Sequence, residues 1–222
     1  MDRHGLDNKE IRMGFIKKVY GILSVQLTLT TCMVFVVMYS PSIAQIMINP
    51  TLLTTVLVLY ISSICALVCC RLDKQVPINY ILLAVFTVCC SWLVSLICLA
   101  YPPVIVFEAI CLTAAVVVAI TFYAATTKDD FTVCGPIVWV VGMIIMTGSI
   151  LAIFMGPSGR LLYCMMGVLL FSFYLIIDTQ LIIGGSKRQY QIDEDSYIIA
   201  SLLLYLDIIN LFLEILKLLG KK

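Results

Sequence analysis

The sequence predicts an all-α, polytopic membrane protein of seven transmembrane helices, on three observations. Of its 222 residues, 62% are hydrophobic and only 12% charged, against about 25% charged in an ordinary soluble domain. The apolar residues fall into seven runs, each near the length of about 20 residues that a helix needs to cross a bilayer. The breaks between the runs are short and rich in residues that stop helices.

The runs are 19–39, 50–70, 80–100, 104–126, 135–155, 161–183 and 198–219. Pro41 and the pair Asn49-Pro50 bracket the first break, and Pro50 suits the first turn of a helix, where its missing N–H is not needed. Arg71 and Lys74 mark the second break, and Pro102-Pro103 folds the third into a tight hairpin. Lys128, Asp129 and Asp130 read as a solvated loop, and Gly156-Pro157-Ser158-Gly159 as a turn. Gly184-Gly185 supplies the permissive backbone that helix C-termini favour. The loop that follows, with Asp193, Glu194 and Asp195, also reads as solvated. The organisation expected is a short polar N-terminal segment, 1–18, followed by a single transmembrane domain, 19–222. The first run is too long for the roughly 7–15 residues of a secretory h-region, and no Ala-x-Ala follows it, so it reads as a retained helix.

Charge placement orients the chain. Arg3, Lys9, Arg12, Lys17, Lys18, Arg71, Lys74, Lys128, Lys187 and Arg188 fall on one side of an alternating seven-span topology. Arg160, Lys217, Lys221 and Lys222 fall on the other. A ten-to-four split places the N-terminus in the cytosol. The three C-terminal lysines run against that rule, and a last segment that re-enters the membrane instead of crossing it would resolve the conflict.

Ten cysteines do not make a disulfide scaffold here, because most lie inside apolar runs, where Cys packs as a small hydrophobe. Cys69 and Cys70 end a span beside Arg71 and are candidates for reversible palmitoylation. With one histidine and no CxxC pattern, zinc is not expected. No basic run points to nucleic acid. There is no Gly-rich phosphate loop, HExxH or nucleophile elbow, and neither intramembrane aspartate lies in a GxGD-type motif. The chain reads as a non-enzyme without a cofactor.

The informative residues are acids at bilayer depth. Asp178 lies in the sixth run and Asp207 in the seventh, and a carboxylate at the centre of a membrane costs roughly 2.5–3.5 kcal/mol on insertion scales. Counted from the cytosolic side, Asp178 lies about 8 Å deep and Asp207 about 14 Å, so the two carboxyls can approach. Close carboxylates cannot both ionise cheaply, and such a pair shares a proton. Once ionised it can hold a hard cation such as Ca²⁺ weakly. Asp207, Asn210, Glu214 and Lys217 are spaced to share one helix face, so Asn210 and Glu214 are supporting polar groups. Glu108 either reaches the lumenal surface or attracts cations at the lumenal mouth. The Arg71 side chain can snorkel over part of the distance to Asp178, so an ion pair between them is geometrically possible.

Several stretches resemble the Bax-inhibitor/lifeguard family. The strongest is Ser201-Leu-Leu-Leu-Tyr-Leu-Asp207-Ile-Ile-Asn210-Leu-Phe-Leu213, similar to that family's closing helix. Tyr174-Leu-Ile-Ile-Asp178-Thr-Gln-Leu-Ile-Ile-Gly-Gly185, Phe15-Ile-Lys-Lys-Val-Tyr20, Cys69-Cys-Arg71 with Pro77-Ile-Asn-Tyr80, and Thr127-Lys-Asp-Asp-Phe-Thr132 are similar to its other signatures. The short N-terminus lacks the Pro-rich extension of many lifeguard proteins and looks more like the Golgi anti-apoptotic branch. The resemblance implies a seven-helix bundle with the last helix central. It also implies a calcium leak across Golgi or endoplasmic reticulum membranes gated by an acid pair that senses pH, with suppression of cell death. Carried over, the acid pair is Asp178 and Asp207, the candidate latch is Arg71, and the partners are the bilayer, Ca²⁺, H⁺ and cell-death regulators of the Bcl-2 class or other membrane proteins. One departure stands out: where members often carry a Glu after Phe-Thr-x-x in the third helix, this chain has Cys90. A proton-coupled transporter and a non-conducting scaffold that binds death factors remain alternatives.

Overall fold

The computed structural model describes residues 3–152, 156–185 and 188–220. Lys187, Lys221 and Lys222 of the charge pattern, and the end of the fifth run at Met155, lie outside the described residues. All secondary structure among the described residues is helical. The α-helices are α1 (Arg3–Tyr39), α2 (Pro41–Met47), α3 (Pro50–Val68), α4 (Ile78–Cys98), α5 (Pro103–Thr126), α6 (Gly135–Ala152), α7 (Pro157–Ile183) and α8 (Tyr197–Leu219). Single 3₁₀ turns stand at Leu72–Lys74, Thr132–Cys134 and Glu194–Ser196.

The seven expected helices are α1 and α3 to α8. Six are long and apolar enough to cross a membrane. The exception is α6, whose 18 residues span about 27 Å at 1.5 Å per residue. Several boundaries differ from the sequence expectation, among them the start of α7 at Pro157, inside the stretch read as a turn, where proline suits the first helical turn. The segment 1–18 is helical from Arg3 onward, so α1 extends well before the apolar run. Hydropathy marks only the stretch that prefers lipid, whereas a helix continues through any sequence without a breaker. The first break also folds, because Pro41 opens the extra helix α2. At α3 the expected start is observed, with the Asn49 side chain accepting from the Thr51 N–H at 3.0 Å and Pro50 in the first turn.

The last helix is uninterrupted over 23 residues, about 34 Å, enough to cross the hydrocarbon core without re-entry. It is also the most enclosed: 72% of its apolar window is buried, against 11% for α3 and 17% for α5. Large apolar residues face outward on the other helices, among them Val58, Ile61, Val118, Phe122, Ile137 and Trp139. A helix with its backbone bonds closed internally and an apolar exterior is compatible with lipid as solvent. The chain is a multi-pass membrane protein.

The chain divides into two compact units, Met1–Pro103 with Asp193–Tyr205, and Val104–Ile192 with Leu206–Lys222. In the first unit α4 packs against both α1 and α3. Phe86 stacks on Tyr60 with ring centroids 4.9 Å apart and meets Tyr205 edge-on at 6.2 Å. A buried polar ladder crosses this apolar core. Gln26 donates to the Thr87 hydroxyl at 2.9 Å, and the Thr30 hydroxyl lies 2.8 Å from both Ser91 and Tyr205. Thr30 spends its single proton on the Gln26 carbonyl, so the Tyr205 hydroxyl is the donor to Thr30. Thr87, Ser91 and Ser95 each donate to the carbonyl four residues back. Buried hydroxyls in hydrocarbon must be paired, and these pairings fix the register of α1, α4 and the start of α8. Cys90 is buried on the same face of α4 and interacts with the Tyr205 hydroxyl. At the polar end of this unit the Lys18 ammonium sits 4.1 Å from the Tyr197 ring centre, and Arg12 pairs with Glu194 at 3.4 Å. Glu194 is therefore paired and not simply solvated.

Candidate functional site

The second unit holds the acids. α7 starts at Gly156-Pro157 and runs 27 residues to Ile183 before Gly184 and Gly185, both at positive φ, let the chain turn away. Its partner on one side is α6, and the contact is closed by two tyrosines. Tyr163 donates to the Ile145 carbonyl at 2.9 Å, and Tyr174 to the Val138 carbonyl at 3.1 Å. The Tyr174 hydroxyl occupies the space that any Cβ at Gly142 would need, so only glycine there lets it reach the α6 backbone. Tyr174 and Asp178 are one turn apart and share a face of α7.

Asp178 and Asp207 are both buried, each 8% exposed. Their carboxyls are within hydrogen-bonding reach of each other. Two carboxyls this close cannot both ionise cheaply, so a pair of this kind favours sharing a proton. Asp207 Oδ2 has no hydrogen-bond partner. A buried carboxyl pair with an unpartnered oxygen is chemically suited to proton exchange. Calcium takes about 6–8 oxygen ligands, and no cluster of three or more His, Cys, Asp or Glu occurs among the described residues. Two carboxylates provide a weak station and not a cage.

The other predicted site residues are distributed as follows. Glu214 is buried, 7% exposed, and bonded to Lys217 at 2.7 Å. Asn210 turns its amide onto its own helix, donating to the Leu206 carbonyl at 2.8 Å. Glu108 is exposed in the second turn of α5 and points away from the protein interior. Cys69 and Cys70 are free and exposed at the end of α3. Arg71, in the first unit, is exposed in the left-handed region at φ 52°. It lines a cavity of about 360 Å³ with Leu67, Val68, Asp73, Lys74 and Ile199.

Sequence reasoning missed Gln180. It is fully buried one turn from Gly184 and ties the α5–α6 connection to α7. Its Oε1 accepts from the Phe131 N–H at 2.8 Å, and its Nε2 donates to the carbonyls of Asp129 at 3.1 Å and Ala124 at 3.5 Å. Arg188 donates to the carbonyls of Ala124, Thr127 and Asp129 from the other side. The Thr132 hydroxyl and the N–H groups of Gln189 and Thr132 hold the Asp130 carboxyl below the usual carboxylate range. The loop read as solvated is a clamp that fixes the end of α7, hence the depth of Asp178. The only signal for it was a glutamine inside an apolar run.

Fold and site define a class: a multi-pass helical membrane protein with two interacting acids buried between its last two helices. The family described as inhibitor of apoptosis-promoting Bax1 (Bax1-I) matches residues 12–222, and the chain belongs to that family. It is 38% identical over 216 residues to a BI1-like protein of Arabidopsis thaliana, covering 95% of this chain and 81% of that protein. It is 30% identical to protein lifeguard 3 of Homo sapiens over 97% of this chain and 71% of that one. To protein LIFEGUARD 2 of Arabidopsis thaliana it is 34% identical over 96% and 90%.

Proposed function

We propose that the protein is a pH-sensitive calcium leak channel of Golgi or endoplasmic reticulum membranes that modulates store calcium and suppresses apoptosis. The observation that carries this reading is the Asp178–Asp207 pair, two carboxyls buried and in reach of each other inside apolar helices. Acids at this depth are costly to keep, and a path for cations is the use that repays the cost. Membership of a family described as inhibitor of apoptosis-promoting Bax1 supports the cell-death role. Calcium flux into liposomes containing the purified protein tests the reading. Asp207→Asn keeps the shape and removes the charge, so leak is expected to change several-fold in a variant that still inserts and folds. Equal flux from the two proteins would instead favour a scaffold that acts by binding death factors.

The orientation proposed with it puts the N-terminus and the loop from Gly184 to Tyr197 in the cytosol, from the ten-to-four charge split. An Asn-x-Thr acceptor built into that loop should remain unglycosylated in microsomes. Efficient glycan addition there would reverse the orientation and place the acid pair near the lumenal face.

A further inference from the structure

We infer that Glu214 is a second cation-binding station on the α7–α8 seam, kept filled by the ammonium of Lys217. The inference deepens the leak reading and rests on it for its use in conduction, but its test does not. Glu214 stands seven residues after Asp207, two turns or about 10.5 Å along α8 and nearly on the same face. Both carboxyls therefore face α7: Asp207 meets Asp178, and Glu214 meets Gly167. A Cβ at position 167 would lie 2.8 Å from Glu214 Cγ and 3.0 Å from Cδ. Only glycine there lets the carboxyl group sit so close to the α7 backbone.

The electrostatics of this seat are incomplete. The Glu214 side chain is about nine-tenths buried, and its Oε1 accepts from Lys217 Nζ at 2.7 Å. Its Oε2 is buried with no hydrogen-bond partner. A carboxylate in a low-dielectric setting that satisfies one oxygen and strands the other is undercompensated. Lys217 is a flexible partner, with its side chain 42% exposed, so its head can leave for the surface without unfolding anything. A hard, oxygen-seeking divalent cation could engage both carboxylate oxygens and complete its shell with water. The site is thus a weak one, occupied by a tethered ammonium in the absence of metal. Permeation favours several weak sites over one tight one, because an ion must leave as readily as it enters.

The test uses Tb³⁺ as a calcium substitute, read by luminescence sensitised by the protein's own tyrosines and tryptophans. The full chain is studied in detergent with Asp178→Asn and Asp207→Asn both in place, so that the acid pair contributes no charge. On that background Lys217→Met is expected to tighten Tb³⁺ binding about tenfold, and adding Glu214→Gln is expected to abolish the gain. Lys217→Gln, which retains a hydrogen-bond donor but no charge, should behave like Lys217→Met and guards against a folding defect in the more apolar variant. Tb³⁺ titrations unchanged by both Lys217 variants, or a gain that survives Glu214→Gln, would overturn the inference. Absence of calcium leak from wild-type liposomes would defeat the channel reading alone, and the Tb³⁺ titration would still decide whether Glu214 binds a cation.

Discussion

Asp178→Asn is expected to flatten the pH dependence of calcium leak between pH 5 and pH 8, in liposomes where the wild type changes several-fold. With the proton in place, the two carboxyls are joined by a hydrogen bond and carry one charge between them. When the proton leaves, the same atoms carry two like charges in a low-dielectric setting, and attraction becomes repulsion. The pair must then separate, rehydrate or take up a cation. Each of these alters the α7–α8 seam, and so alters any ion path along it. An amide at position 178 still donates a hydrogen bond to Asp207, so the packing is preserved while the two-charge state is removed. A wild-type leak that is already flat across this range would rule out gating by the pair. So would an Asp178→Asn curve that overlays the wild-type one, and the two aspartates would then be structural contacts.

Gln180→Leu should lower the unfolding temperature of the purified protein by roughly 4–8 °C, from a loss on the order of 2 kcal/mol at about 2–4 °C per kcal/mol for a chain of this size. The substitution keeps most of the volume and deletes three hydrogen bonds, two to the loop between α5 and α6 and one to the last turn of α5. The carbonyls of Ala124 and Asp129 retain Arg188 as donor, so the principal cost is the Phe131 N–H, which is left without its acceptor. Arg188→Gln together with Gln180→Leu should cost more than the two single changes added, because those carbonyls then lose both donors. Thermal unfolding in detergent measures all three variants. No loss of stability in Gln180→Leu, or strict additivity in the double variant, would show that the clamp does not hold the end of α7.

The sequence by itself determined which segments are helices and which solvent surrounds them. Each run announces itself through a local sum of apolar residues, and each break through Pro, Gly or charge, so neither depends on what lies elsewhere in the chain. The same local logic located Asp178 and Asp207, because a carboxylate is conspicuous in an apolar run, and helical spacing put Glu214 and Lys217 on the face of Asp207. It failed at the start of α1 and at α2, since hydropathy measures preference for lipid and not helicity.

Only the tertiary structure decided how these segments satisfy one another. Gly142 and Gly167 are ordinary small residues until Tyr174 and Glu214 arrive from other helices to fill the space a side chain would take. Gln180 and Arg188 resemble any polar residues near a helix end until the backbone of Ala124, Asp129 and Phe131 is brought to them. The ladder of Gln26, Thr30, Thr87, Ser91 and Tyr205 joins residues up to 175 positions apart. Each of these contacts needs two groups that are remote in sequence to meet within about 3 Å, and no sum over neighbouring residues contains that information. In a membrane interior, where water cannot stand in as a partner, those meetings set the register of the helices and the depth of the acids they carry.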